Sequence, residues 1–330
     1  MNAVQYLRDL QKRTGTLVST DTANKVFEHR EGVLSKSTIQ RIRNEPKFRS
    51  IEGLEEFYHN NLIKPFLETL PSECSNCLKD VYVGFLQTND PNAWALQVPE
   101  NGPLIVLHTS LIFTIGLYNE LKFLIGPLMN KDIVSSNVLF QEGHRRILNI
   151  FQGFDYSIDS KKFPRQITKE DLIKATYLSM AQELFIVAHE FSHIYLGHLD
   201  RPANISLVFG DNRVTVRKYS RRQQEELDAD ILAVKWLSNV KNSNFDRHVA
   251  PFLILPSVSI GLVIEIFMLF NFIEINLGVP SASSSHPSSL IRLNHILKEC
   301  SCLLTEQEKE FIKGMIMNGK DTMSWKLPNI

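Results

Sequence analysis

The strongest periodic signal lies between Leu172 and Leu199. Leu184, Val187, Ala188, Phe191, Ile194 and Tyr195 fall on one stripe of a 3.6-residue period, which predicts a core helix. No proline interrupts the stretch. Thr168-Lys-Glu-Asp171 reads as a capping box with aspartate in the glutamate place, and Gly197 as the stop. The span is long for one helix, so a break before Ala181 is an open alternative. A second helix is expected to open at the capping signature Ser220-Arg-Arg-Gln223 and to run through Glu225 to Ala233. A third, capped by Thr305-Glu-Gln-Glu308, is expected to reach Asn318.

Upstream, residues 61–112 read as a helix followed by two or three strands. Phe113–Leu128 reads as a helix, and the remainder to residue 165 as a variable insertion with Asn, Ser and Gly, its His144, Arg145 and Arg146 solvated. Residues 199–219 read as a long connection in which Val208–Val214 forms a β-turn with short arms; Arg213, Arg217, Arg221 and Arg222 would rim a cleft or simply lie exposed. The most apolar stretch, Pro251 to Gly278, runs unbroken for 14 residues before Glu265 interrupts it. A bilayer needs about 20, so a buried helix is expected, with a membrane-associated hairpin or interfacial segment as the competing reading. No internal repeat is visible. The pattern is that of an α+β protein, mostly helical, with a small mixed or antiparallel sheet.

Composition changes this picture little. The 330 residues carry 36 Lys plus Arg and 36 Asp plus Glu, so global charge points to neither nucleic acid nor lipid. A hydrophobic content of 43% is ordinary for a globular protein. Met1-Asn-Ala-Val-Gln-Tyr-Leu-Arg8 has no basic-then-apolar leader pattern, which suggests a cytoplasmic protein with peripheral membrane association as the alternative. Cys74-x-x-Cys77 and Cys300-x-Cys302 suit free thiols in a reducing compartment; a second, structural zinc joining all four is the other option. Residues 1–60 read as a small basic helical region, separate from a main domain over 61–330. Residues 1–50 hold ten Lys or Arg against five Asp or Glu. Within them Gly32–Arg43 resembles the turn and recognition helix of a helix-turn-helix, with Ser35 as cap and Ser37, Thr38 and Arg41 facing a groove. A helical lid or scaffold is the preferred reading.

The chemistry sits on the strongest helix. Residues 189–193 read His-Glu-Phe-Ser-His. Positions i and i+4 lie about 40° apart around a helix, so His189 and His193 can grip one ion while Glu190 reaches a water on it. Zinc suits neutral imidazoles, and a catalytic zinc keeps three protein ligands and an open position. The third ligand is expected from Glu226 on the second helix. Asp230, one turn on, would accept the outer N–H of a ligand histidine and fix its tautomer. Glu225 and Asp228 lack that spacing.

In order, HExxH, then Glu226-x-x-Ala229-Asp230, then His286-Pro287-Ser-Ser-Leu-Ile-Arg292, the chain resembles gluzincin zinc peptidases of the HtpX and CAAX-prenyl-protease type. Pro91-Asn-Ala-Trp-Ala-Leu96 and Pro103–Ile112 are similar to that group's strands beside the catalytic helix, with Trp94 where phenylalanine is usual. The chain also resembles the phage-exclusion peptidases of the Lit type. The resemblance implies a zincin-like fold, His189, His193 and Glu226 as ligands, and Glu190 as base. It implies that His286 faces the site as an oxyanion donor, that Arg292 supports the region or binds substrate, and that the substrate backbone pairs with a strand edge near Ala93–Leu96 or Leu104–Leu107, with Ala93, Trp94 and Ala95 as the substrate-binding residues. His198 resembles an extra histidine after the motif, in a capping or core role rather than a ligand's. The implied partner is a protein or peptide substrate, with no clear transmembrane segment. Two rivals stand beside this zinc endopeptidase: a DNA-binding regulator with a fused peptidase acting on a repressor, and an interaction protein that binds zinc without turnover.

Overall fold

In a computed structural model of the chain, the structure describes residues 2–23, 50–90, 92–98, 102–129, 133–151, 167–199, 202–209, 212–219, 223–240, 256–277 and 287–323. The stretch read as a helix-turn-helix, with Ser35, Ser37, Thr38 and Arg41, lies outside the described residues, as do His286, Ser220, Arg221 and Arg222.

The architecture is α+β and mostly helical. A three-stranded mixed sheet has the order β1 (Tyr82–Leu86), β3 (Gly102–His108), β2 (Ala93–Val98). β1 pairs parallel with β3, Tyr82 opposite Leu104, and β2 pairs antiparallel with β3, Ala93 opposite Leu107. Side chains alternate between two covered faces. Trp94, Leu96, Val98, Leu104 and Val106 meet Leu7 and Leu10 of α1 (Ala3–Thr14). Ala93, Ala95, Ile105 and Leu107 belong to the main core. Arg8 of α1 pairs with buried Glu55 of α2 (Ile51–Tyr58), which also accepts the Tyr82 hydroxyl at 2.6 Å. That carboxylate joins the N-terminal helix to the sheet edge. α2 continues through a π turn (His59–Ile63) into α3 (Lys64–Leu67), and α4 (Ser72–Leu78) follows.

On the main-core face lie α5 (Thr109–Met129), α6 (Ile133–Phe151) and α7 (Lys169–Tyr195). α7 is unbroken; the break considered before Ala181 does not occur. Thr168 caps it as read, accepting the Asp171 N–H at 3.1 Å. Every residue from Ala175 to His193 is buried, because α4, α5, β2, β3, α8 (Gln223–Ser238) and α9 (Pro256–Leu277) all pack on α7. The segment expected as a variable insertion is helical in its first part. Glu142 ties α6 with Arg145 and Arg146 at 2.7 Å, and His144, expected to be solvated, is half-buried with its ring centroid 4.2 Å from that of Phe272. Burial pushes its pKa down to about 4.

The connection after α7 is longer in its arms than read. β4 (Pro202–Phe209) and β5 (Asn212–Tyr219) form an eight-residue-per-arm hairpin whose second strand packs near α1 and β2. α9 passes through Glu265, which pairs with Lys122, so the helix is longer than its 14-residue apolar run. Among the described residues α9 is the one helix long and apolar enough to cross a membrane by length and composition, and 67% of that window is buried inside the molecule. α10 (Ser289–Glu299) and α11 (Glu306–Met323) complete the chain's described part; Thr305 and Glu308 cap α11 reciprocally, at 2.9 and 3.3 Å. Cys74 and Cys300 are buried, Cys77 and Cys302 exposed, and all four are free.

Candidate functional site

α7 carries His189 and His193 on one face, with Nε2 atoms 3.0 Å apart. α8 packs alongside and brings Glu226, whose carboxylate oxygens lie 3.4 Å from His189 Nε2 and 3.6 Å from His193 Nε2. Small Ala229 and Ala233 face inward on α8 and are fully buried, which lets the two helices approach. His189, His193 and Glu226 are all buried, and one donor atom from each lies within 4.8 Å of the others. Two imidazole nitrogens and a carboxylate crowding their lone pairs together in a dry interior is costly unless a proton or a metal cation sits among them. The group could hold a metal ion.

The outer atoms of His189 and Glu226 are also held. His189 Nδ1 lies 2.9 Å from Asp230 Oδ1. Arg292 of α10 grips Asp230 bidentately, Nε at 2.8 Å and Nη2 at 2.6 Å, and its Nη1 lies 3.8 Å from Glu226. The guanidinium lies 4.8 Å from the centre of the Phe267 ring of α9. Thus three helices clamp the edge of the cluster. Burial works against the charge on His189, but Asp230 and Glu226 overcome it and raise its pKa to about 9. Burial likewise opposes ionisation of Asp230, and Arg292 outweighs it, holding the carboxyl below the usual range. Arg292 is itself pushed up, burial being overcome by Asp230 first, then Glu226 and Glu190.

His193 has its own outer neighbour. Its Nδ1 lies 2.9 Å from Nδ1 of His198. The helix end explains the meeting. Gly197 takes φ 70°, and the chain doubles back so that the His198 N–H donates to the His193 carbonyl at 2.9 Å and the Gly197 N–H to that of Ile194 at 3.1 Å. These paired bonds are a Schellman closure, in which the residue after the glycine lies over the third-last helical residue. Gly197-His198 carried the signal in the sequence, but the contact with His193 was not read from it.

Glu190 follows His189 on α7 and is 3% exposed. Ala93 and Ala95 line the sheet face toward the main core, whereas the Trp94 indole lies on the opposite face, edge-on to His108 at 4.2 Å. β2 is an edge strand: among the described residues no strand is hydrogen-bonded to its outer side. His286 lies outside the described residues, one position before Pro287 and α10.

Residues 155–314 match the family model described as Peptidase U49, the Lit-type peptidase family. The match is just under half of the chain; it spans α7, the hairpin, α8, α9 and α10, and leaves the sheet and α1 outside. It supports a peptidase, acting on a protein substrate. No curated protein and no solved structure matches the chain.

Proposed function

We propose that the protein is a zinc-dependent endopeptidase whose ligands are His189, His193 and Glu226. The observation that carries this reading is the convergence of those three buried side chains from two helices, within a segment similar to a peptidase family. The donor set fits the ion: two imidazoles and one carboxylate are a known three-ligand set of catalytic zinc. Bound there, zinc would supply a Lewis acid and bring the pKa of a coordinated water to about 7.

The chain's own residues do the rest. Glu190 takes the water's proton as general base and hands it to the leaving amine. Asp230 holds the Nδ1 proton of His189, which turns the Nε2 lone pair inward. Of the two roles expected for Arg292, the supporting one has the geometry behind it, since Asp230 already occupies its guanidinium. The outer edge of β2 at Ala93, Trp94 and Ala95 would take up the substrate backbone as an added strand; Trp94 would contribute its peptide group, not its indole. His286 would donate to the oxyanion.

Glu190→Gln tests the reading. It should retain stoichiometric zinc, measured by elemental analysis, and lose cleavage in a proteome-wide screen against wild type. General-base removal costs on the order of 10²–10⁴ in rate. Cleavage at the wild-type rate would exclude the mechanism, and a metal-free wild type would exclude the zinc centre.

A further inference from the structure

We propose that His198 is a positioning residue for the metal centre: its imidazole accepts the Nδ1 proton of His193 and so holds the Nε2 of His193 bare and aimed at the ligand cluster. The inference rests on the zinc-peptidase reading above and deepens it.

The argument is one of proton placement. His193 Nε2 lies 3.0 Å from His189 Nε2 and 3.6 Å from Glu226, so this nitrogen faces the cluster. To ligate, it must carry no proton, and a neutral imidazole then carries its proton on Nδ1. The atom 2.9 Å from that Nδ1 is Nδ1 of His198. One of two nitrogens at that distance must donate and the other accept. With His193 donating, His198 accepts on Nδ1 and keeps its own proton on Nε2. His189 is served by a carboxylate, His193 by a second imidazole, and both ligand rings are thereby fixed in tautomer and direction.

The backbone prepares this contact. The paired bonds after Gly197 carry His198 back over His193, and the two rings meet with centroids 5.1 Å apart at 62°. The residue in this place commonly makes an apolar contact with the helix. An apolar side chain would close the helix equally well, so closure alone does not call for an imidazole whose Nδ1 faces the Nδ1 of His193.

That distinction gives the experiment. Zinc affinity of the full chain would be measured by competition with a chromophoric chelator for wild type, His198→Leu and His198→Gln. Leucine keeps the apolar cap and removes the acceptor; glutamine keeps an acceptor oxygen. Expected is a loss of about 10–100-fold for leucine, with most of it recovered by glutamine. Nitrogen-15 spectra of the zinc-loaded wild type should show the His193 proton on Nδ1. Wild-type affinity in both variants, or a zinc-loaded wild type whose His198 carries its proton on Nδ1, would overturn the proposal and leave the zinc centre standing; His193 protonated on Nε2 would remove both. A wild type that binds no zinc would remove the parent reading and this one with it. Should the leucine variant fail to fold, the wild-type spectrum still decides, because the proposal requires His198 to keep its proton on Nε2 and to accept on Nδ1.

Discussion

At the scale of single residues, the site is a set of buried charges that hold each other in place. Asp230 is fully buried, and its ionised form depends on Arg292 more than on any other group. Arg292→Met would keep an unbranched side chain in the same place, lose the guanidinium that faces Phe267, and strand the carboxylate. Breaking a buried pair in this way costs about 3–5 kcal/mol, and urea denaturation should show that loss. A change within 0.5 kcal/mol, the range usual for neutral surface substitutions, would mean that His189 alone suffices for Asp230. The grouping of His189, His193 and Glu226 was legible in the sequence because helical spacing by itself puts the two histidines on one face. The contacts of Arg292 with Asp230 and of His198 with His193 were not. The first joins residues far apart in the chain, and the second depends on a left-handed glycine whose hydrogen bonds no composition rule describes.

At the scale of elements, close approach is set by glycines that a helix or strand reading counts as weaknesses. In α6, a Cβ on Gly143 would come within 2.6 Å of the Leu121 side chain of α5. Glycine costs a helix about 1 kcal/mol against alanine, and this is one reason residues 133–151 read as irregular; the packed pair of helices shows what that glycine permits. Gly84 does the same for β1. A Cβ there would lie 2.2 Å from Leu7 of α1 and 2.9 Å from the Glu55 carboxylate that Arg8 and Tyr82 hold. Gly84→Val should therefore lever α1 off the sheet. Overpacking of this kind costs about 1–3 kcal/mol, and the thermal midpoint should fall accordingly, with α1 amides losing hydrogen-exchange protection before those of α7. Unchanged protection in α1 would show that Leu7 can yield.

At the scale of the molecule, the metal-ligand candidates come from α7 and α8, which are consecutive helices only if the β4–β5 hairpin between them is skipped. An ion held by both would favour the folded chain through mass action, by about 4 kcal/mol at a free concentration a thousandfold above Kd. Chelation should therefore lower the unfolding midpoint, and zinc should restore it in the wild type but not in Glu226→Ala. Identical midpoints with chelator and with zinc would show that no such bridge forms. The mixed sheet beside the long helix could be read ahead because residues 61–112 change their pattern from helical to extended; the hairpin's full arms were less visible, since only the turn at its tip carries strong signals.

The enclosure of α7 has a mechanical consequence. From Ala175 to His193 it touches other elements on all sides, so it has nowhere to swing. The imidazoles are an anvil fixed to the bedrock of the molecule. A polypeptide brought to them must itself bend to the point of reaction, and whatever gives way to admit it belongs to the rim rather than the floor.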